Sequence, residues 1–311
     1  MIALLDRRLI VVAGKGGVGR TTVAAALALA AARRGRRVLL AQTRAKDPAH
    51  HLLGGPPVGE EVVQTAPNLW CVNMTPRAAL RQYGLMVLRF EAVYRAVFEN
   101  RVVRPFLRAV PGLDEYSMLG KVWFHTTEEE GGAARFDTVI LDGPATGHLL
   151  AMLRLPKVIV DTVPPGPLAR DAARILELLR DPLLTVAHLV TLAEEMPIAE
   201  TEDLMRGLQG ELGVPLGALV VNAVSPDHFP KGGPADLLLD RLLQLDHTPL
   251  DATLGDVARR AHLSRARRRM HERYLSRIQA EVPLPSIELP ALFVPRVGPP
   301  EIEELSRRLA G

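Results

Sequence analysis

Short, mainly apolar runs, some unbroken and some alternating, are interspersed along this chain with longer stretches whose apolar positions recur every three or four residues. The runs at 9–13, 38–41, 69–74, 136–142, 185–192, 218–222 and 286–289 have strand length. An unbroken run of that kind suits a strand covered on both faces. Between them, 23–32, 76–108, 113–124, 148–155, 168–180, 196–212, 257–282 and 301–310 read as helices. In the second of these, Leu80, Tyr83, Val87 and Phe90 fall close to helical spacing, and Pro105 and Pro111 break the pattern. Pro156 is expected to stop the helix that starts at 148. Residues 55–66 and 128–132 are polar or glycine-bearing and read as exposed loops. Strand, helix and strand over 9–41 predict a parallel, right-handed βαβ unit and an α/β fold.

The first run feeds a glycine-rich bend, Gly14-Lys15-Gly16-Gly17-Val18-Gly19-Arg20-Thr21-Thr22, which feeds an alanine- and leucine-rich helix. Glycines let backbone N–H groups converge on an anion, and the helix dipole adds positive charge at the same place. That order predicts a phosphate cradle, with Thr21 placed to reach a magnesium ion. The bland alternative is a glycine turn that binds nothing. Position 20 holds Arg where the ordinary loop has Lys, and a second lysine, Lys15, directly follows the first glycine.

Two acids follow strand ends. Asp47 comes just past the second run and is a candidate to orient or deprotonate water for attack on a γ-phosphate, with His50 in support. A turn or helix cap before Pro48 is the competing reading. Asp142 closes the 136–142 run, the arrangement that holds magnesium opposite a phosphate loop. Asn222 ends another buried run and offers both donor and acceptor to an adenine edge, or serves only as a turn residue.

Composition narrows the classes. A single cysteine, Cys71, excludes a disulfide or a thiolate zinc cage within one chain. Asp6, Arg7 and Arg8 interrupt the first apolar stretch, so no leader peptide is expected, and no apolar run is long enough to span a bilayer. A cytoplasmic protein is the expectation. Eight arginines lie between Arg259 and Arg277. They read as a solvated helix face or as a contact for phosphates or anionic lipid. Almost no aromatic residues interleave them, and no nucleic-acid partner is expected. The Met and aromatic side chains around 76–124 read as core or dimer contact, or as a greasy client groove.

Taken together, phosphate loop, early acid and second acid resemble the arsenite-pump ATPase family, which includes the tail-anchored-protein targeting ATPases. Gly14 to Thr22 is similar to that family's deviant Walker A loop, with Lys15 as signature lysine. Asp47-Pro48-Ala49-His50 resembles its switch I. Asp142-Gly143-Pro144-Ala145-Thr146-Gly147-His148 resembles its switch II, usually Asp-Thr-Ala-Pro-Thr-Gly-His. Glu195 to Thr201, Val220-Val221-Asn222 and Leu289-Pro290-Ala291-Leu292-Phe293 also look familial, the last as an adenine-side loop contributing Pro290 and Leu292.

The resemblance implies a doubly wound, mostly parallel sheet forming one ATPase domain over 1–311, with an inserted helical subdomain at 76–130. It implies ATP and Mg²⁺ as ligands, the metal held by Thr21 and Asp142. It implies a homodimer, or a heterodimer with a paralogous ATPase, in which Lys15 reaches the partner's nucleotide. A protein client or membrane partner would respond to the nucleotide state. Three departures qualify this. Arg20 replaces the lysine that contacts the β- and γ-phosphates, and the two side chains are not interchangeable. Arg44 to Lys46 intervene before Asp47. The cysteines of the metalloid pumps and of the targeting factors' zinc site are missing. Three functions stay open at this point: an ATP-hydrolysing dimeric switch, a nucleotide-binding regulatory subunit with weak turnover beside an active paralogue, and a partition or septum-positioning ATPase, whose switch words fit less well.

Overall fold

The structure, a computed structural model, describes residues 4–88, 112–244 and 252–310. In chain order the first half runs β1 (Leu9–Gly14), α1 (Arg20–Arg33), β2 (Val38–Thr43), α2 (His50–Leu53), β3 (Val63–Ala66), β4 (Leu69–Met74), α3 (Pro76–Leu88) and α4 (Leu113–Thr127). A two-residue hairpin, β5 (Glu129–Glu130) and β6 (Ala133–Ala134), leads to β7 (Thr138–Asp142), α5 (Thr146–Thr162), α6 (Pro167–Arg180) and β8 (Thr185–Leu192). The rest is α7 (Glu195–Met205), β9 (Leu216–Val224), α8 (Pro234–Gln244), α9 (Ala252–Glu281), β10 (Ser286–Pro290) and α10 (Pro299–Ala310).

Eight strands form one sheet in the order β10-β9-β8-β1-β7-β2-β4-β3. All neighbours are parallel except the edge pair β3 and β4. The sheet is α/β and mostly parallel, as the resemblance implied. β1 lies at its centre. The chain leaves β1 for β2 on one side and later crosses from β7 to β8 on the other. Such a reversal opens a crevice at the carboxyl ends of the strands.

Pleating explains the unbroken apolar runs. Leu9, Val11 and Ala13 of β1, Leu39 and Ala41 of β2, and Val139 and Leu141 of β7 point into one core cluster. That cluster is completed by α4, α5, α6 and α7 through Tyr116, Leu149, Ile175 and Ile198. Ile10, Val12, Val38, Leu40 and Ile140 point the other way, into a cluster closed by α1 and α10. The alanines of α1 lie flat against the sheet, which lets the helix that starts at the glycine bend pack close. Cys71 is buried in β4, and burial pushes its thiol up to about 11.

Several boundaries differ from the sequence reading. Pro156 does not end its helix: α5 continues to Thr162 with Pro156 buried inside it. A proline forfeits one backbone bond, and here burial of the apolar face outweighs that loss. The expected loop at 55–66 ends in β3, an edge strand paired with β4. The loop at 128–132 is the turn of the β5–β6 hairpin. Of the helical block expected at 76–130, residues 89–111 lie outside the described residues, and α3 and α4 flank them.

Candidate functional site

The glycine bend sits in the crevice at the end of β1. Gly14 runs so close to β8 that a Cβ on it would come 2.3 Å from the Val190 carbonyl oxygen. Gly17 and Gly19 have φ of +88° and +89°, which side chains with a Cβ rarely adopt. A Cβ on Gly19 would also lie 2.2 Å from Asn222 Nδ2, whereas the space in front of Gly16 and Gly17 is open. Gly19 is the N-cap of α1, whose first turn brings Arg20, Thr21 and Thr22 beside the bend. Val18 is buried and anchors the loop to the α1 side of the sheet.

Two neighbours of β7 meet at its end. Asp142 lies in register with Val12 of β1 and with Gln42 of β2. Thr21 donates from Oγ1 to Asp142 Oδ2 at 2.7 Å, and Gln42 donates from Nε2 to the same oxygen at 3.0 Å. Burial pushes the Asp142 carboxyl above its ordinary range. Those two hydrogen bonds and the Arg20 guanidinium oppose the shift only in part, and it stays raised. Among the described residues no three His, Cys, Asp or Glu cluster as a metal cage. A hydroxyl beside one carboxylate instead suits a hard divalent cation that keeps most of its water and phosphate ligands.

Arg20 does not extend along the open bend. Its guanidinium donates to the Gly14 carbonyl at 2.6 Å and to the Pro144 carbonyl at 2.9 Å. It thereby ties the start of the glycine bend to the segment after Asp142, and burial lowers its pKa. Lys15 pairs with Glu200 of α7 at 2.5 Å, both side chains being about one-third exposed.

Asn222 donates from Nδ2 to the Val18 carbonyl at 2.9 Å and so braces the back of the glycine bend. Pro290 and Leu292 flank the end of β10. Pro290 is in register with Val224, and Ala291 donates to the Val224 carbonyl at 2.9 Å. The two segments therefore lie side by side, two residues beyond Asn222. Leu292 packs against the core, and Phe293 is 72% exposed.

Asp47 is exposed, between Lys46 and the short helix α2. The residues before it are strongly held. Arg44 has φ +50° and pairs with Asp114 of α4 at 3.0 Å. Ala45 is clamped through both its N–H and its carbonyl by the Asn73 amide, at 2.9 Å each. His50 is buried with Nδ1 lacking a hydrogen-bond partner, and burial followed by the stacked His51 lowers its pKa.

Sequence reasoning missed Gln42. It is 1% exposed, and its Oε1 accepts from Ala49 N–H at 2.7 Å while its Nε2 binds Asp142. A glutamine ending an otherwise apolar buried run was the available signal. Thr43 was given no role, and Thr146 entered only as part of the switch II resemblance. Their hydroxyls are buried without a hydrogen-bond partner, at the end of β2 and the start of α5.

The family of anion-transporting ATPases has a sequence model that matches residues 7–164. The chain is 31% identical over 228 residues to the ATPase BagA of Mycobacterium tuberculosis, covering 71% of this chain and 66% of that protein. It is 33% identical over 170 residues to the ATPase GET3 of Kluyveromyces lactis, covering 51% and 48%. A third relative is a putative arsenical pump-driving ATPase of Halobacterium salinarum, 27% identical over 249 residues, covering 74% of this chain and 37% of that protein. The chain thus spans slightly less than two thirds of the mycobacterial relative's length.

Proposed function

Because the chain belongs to the anion-transporting ATPase family, we propose that it binds and hydrolyses ATP as a dimeric switch. The observation that carries this reading is the 2.7 Å hydrogen bond from Thr21 to Asp142, made at the foot of an open glycine bend. The backbone N–H groups from Gly16 to Thr22 would receive the β- and γ-phosphates at the positive end of α1. Thr21 and Asp142 would hold Mg²⁺, which would supply positive charge to offset that of the β- and γ-phosphates. Asp47 would turn inward to orient the attacking water. Asn222, Pro290 and Leu292 would border the base.

Lys15 would leave Glu200 and reach the nucleotide of a second subunit, a like chain or a paralogue. Closure of that dimer would move the segments around Asp47 and Pro144. Arg44 would pass the movement to α4, and so to the block at 76–130, where a protein client or membrane partner would dock. Among the described residues no helix is long and apolar enough to cross a membrane. The proposed location is cytoplasmic, and no nucleic-acid partner is proposed.

Calorimetric titration with ATP, with and without magnesium, tests the core of this reading. Magnesium should tighten binding in the native protein and not in Asp142→Asn. No affinity for ATP or ADP in either condition would overturn it. Asp47→Asn should retain binding and lose turnover.

The second reading, a regulatory subunit with weak turnover, draws on one observation. The Arg20 guanidinium is bound to the Gly14 and Pro144 carbonyls. A cation held in that way is withdrawn from a γ-phosphate, and losing one transition-state contact costs roughly 10²–10³ in rate.

A further inference from the structure

Three polar side chains stand on one level of the sheet. Gln42 of β2 is in register with Asn73 of β4 on one side and with Asp142 of β7 on the other. Residues in register on parallel strands project to the same face. The segment carrying Asp47 is tied to this row at two points. Ala45 N–H donates to Asn73 Oδ1 at 2.9 Å, and Asn73 Nδ2 donates back to the Ala45 carbonyl at 2.9 Å. Further along, Ala49 N–H donates to Gln42 Oε1 at 2.7 Å.

The tie at Ala45 begins where the strand ladder ends. Arg44 N–H still donates to the Met74 carbonyl at 2.9 Å, the last rung between β2 and β4. Arg44 then takes φ +50°, a conformation that a residue with a Cβ keeps only where its surroundings impose it. Beyond that turn the Asn73 amide supplies the acceptor and the donor that a neighbouring strand would have supplied. Among side chains of this length only an amide does both: a carboxylate accepts, and a leucine does neither. Between the two ties the chain has little freedom. Pro48 fixes its own φ at about −65° and holds Asp47, the residue before it, in the extended region. His51 N–H donates to the Pro48 carbonyl, where α2 begins. Only Lys46 and Asp47 are exposed, between the half-buried Ala45 and Pro48. A two-residue arc with both ends held swings its side chains through a small volume.

We propose that Asn73 is a positioning residue: by holding Ala45 it sets the near end of the arc from which Asp47 reaches the attacking water. The inference rests on the role of Asp47 proposed above. Gln42 sets the far end and joins it to Asp142. Asn73 acts through Asp47 and not on the nucleotide, because β7 and β2 separate β4 from β1 and its glycine bend. Its loss leaves the phosphate site intact and takes from Asp47 its fixed starting point.

The test compares the native protein, Asn73→Leu and Asp47→Asn in steady-state ATP turnover with magnesium. The kcat is expressed per ATP-binding site counted by calorimetry, which removes any misfolded fraction. Asn73→Leu is close to the native size and can make neither bond. It should lower kcat by about 10- to 100-fold, the cost of a misplacement of about 1 Å, while KM and the calorimetric affinity stay within about twofold. An unchanged kcat in Asn73→Leu beside an active native protein would overturn the proposal and leave the ATPase reading standing. So would a loss of affinity as large as the loss of kcat, which marks a general loosening of the fold. Full turnover in Asp47→Asn would overturn it by removing the residue that Asn73 is to place. A native protein that binds ATP without turnover would overturn the hydrolytic reading and this inference with it. Should Asn73→Leu fail to fold, Asn73→Asp takes its place. It has the native size, keeps the bond from Ala45 N–H and sets a carboxylate against the Ala45 carbonyl, so it should show the same fall in kcat at unchanged affinity, and a native kcat would overturn the proposal.

Discussion

Gln42 and Asp142 stand opposite each other on adjacent strands, and the amide of one donates to the carboxylate of the other at 3.0 Å. The same amide's oxygen holds the N–H of Ala49 at 2.7 Å. One buried side chain therefore joins the segment carrying Asp47 to the acid proposed to hold the metal. Gln42→Met should uncouple the two. It leaves the Ala49 N–H and one side of Asp142 unpartnered, which costs about 1–3 kcal/mol. Urea denaturation should register that loss, and calorimetry should show weaker magnesium-dependent ATP binding.

Arg20→Lys should raise ATP turnover, by on the order of 10²-fold if the withdrawn guanidinium is what limits the native rate. The variant loses the bonds to Gly14 and Pro144 and should melt slightly earlier. Equal turnover in the two proteins would show that arginine already does the work of the usual lysine, and would remove the regulatory reading.

Lys15 and Glu200 form a partly exposed pair, and such pairs contribute little to stability, about 0–1 kcal/mol. Their weight should fall on assembly. Glu200→Gln frees the lysine and should let ATP drive dimerisation at lower protein concentration. Lys15→Ala should abolish ATP-dependent dimerisation while leaving ATP affinity nearly intact. Light scattering after size exclusion, with and without ATP, separates these outcomes.

His188 lies in β8 beside β1, donating to the Leu4 carbonyl and accepting from Ala218 N–H. Burial lowers its pKa from 6.5 to about 4. The folded protein keeps this ring neutral, so its contribution is fully present above pH 6.5 and is lost as pH falls toward 4. The linkage amounts to about 3 kcal/mol. Urea midpoints measured across that interval should fall steeply in the native protein and less steeply in His188→Gln.

The residues by themselves determined the strand runs, the glycine bend with its following helix, and the acid at the end of 136–142. Each of those signals is written in consecutive positions: apolar periodicity, turn chemistry and a single charge at a strand end. Tertiary structure decided the rest. Gln42 reaches Asp142 because β2 and β7 are in register, a hundred residues apart in sequence. Asn222 braces the glycine bend because β9 ends level with Val18. Lys15 meets Glu200 because α7 packs beside β1. Pro156 stays helical because the face on which it sits is buried. Partnerships of this kind depend on which strand ends lie level and which helix faces meet, and no window of neighbouring residues contains that information.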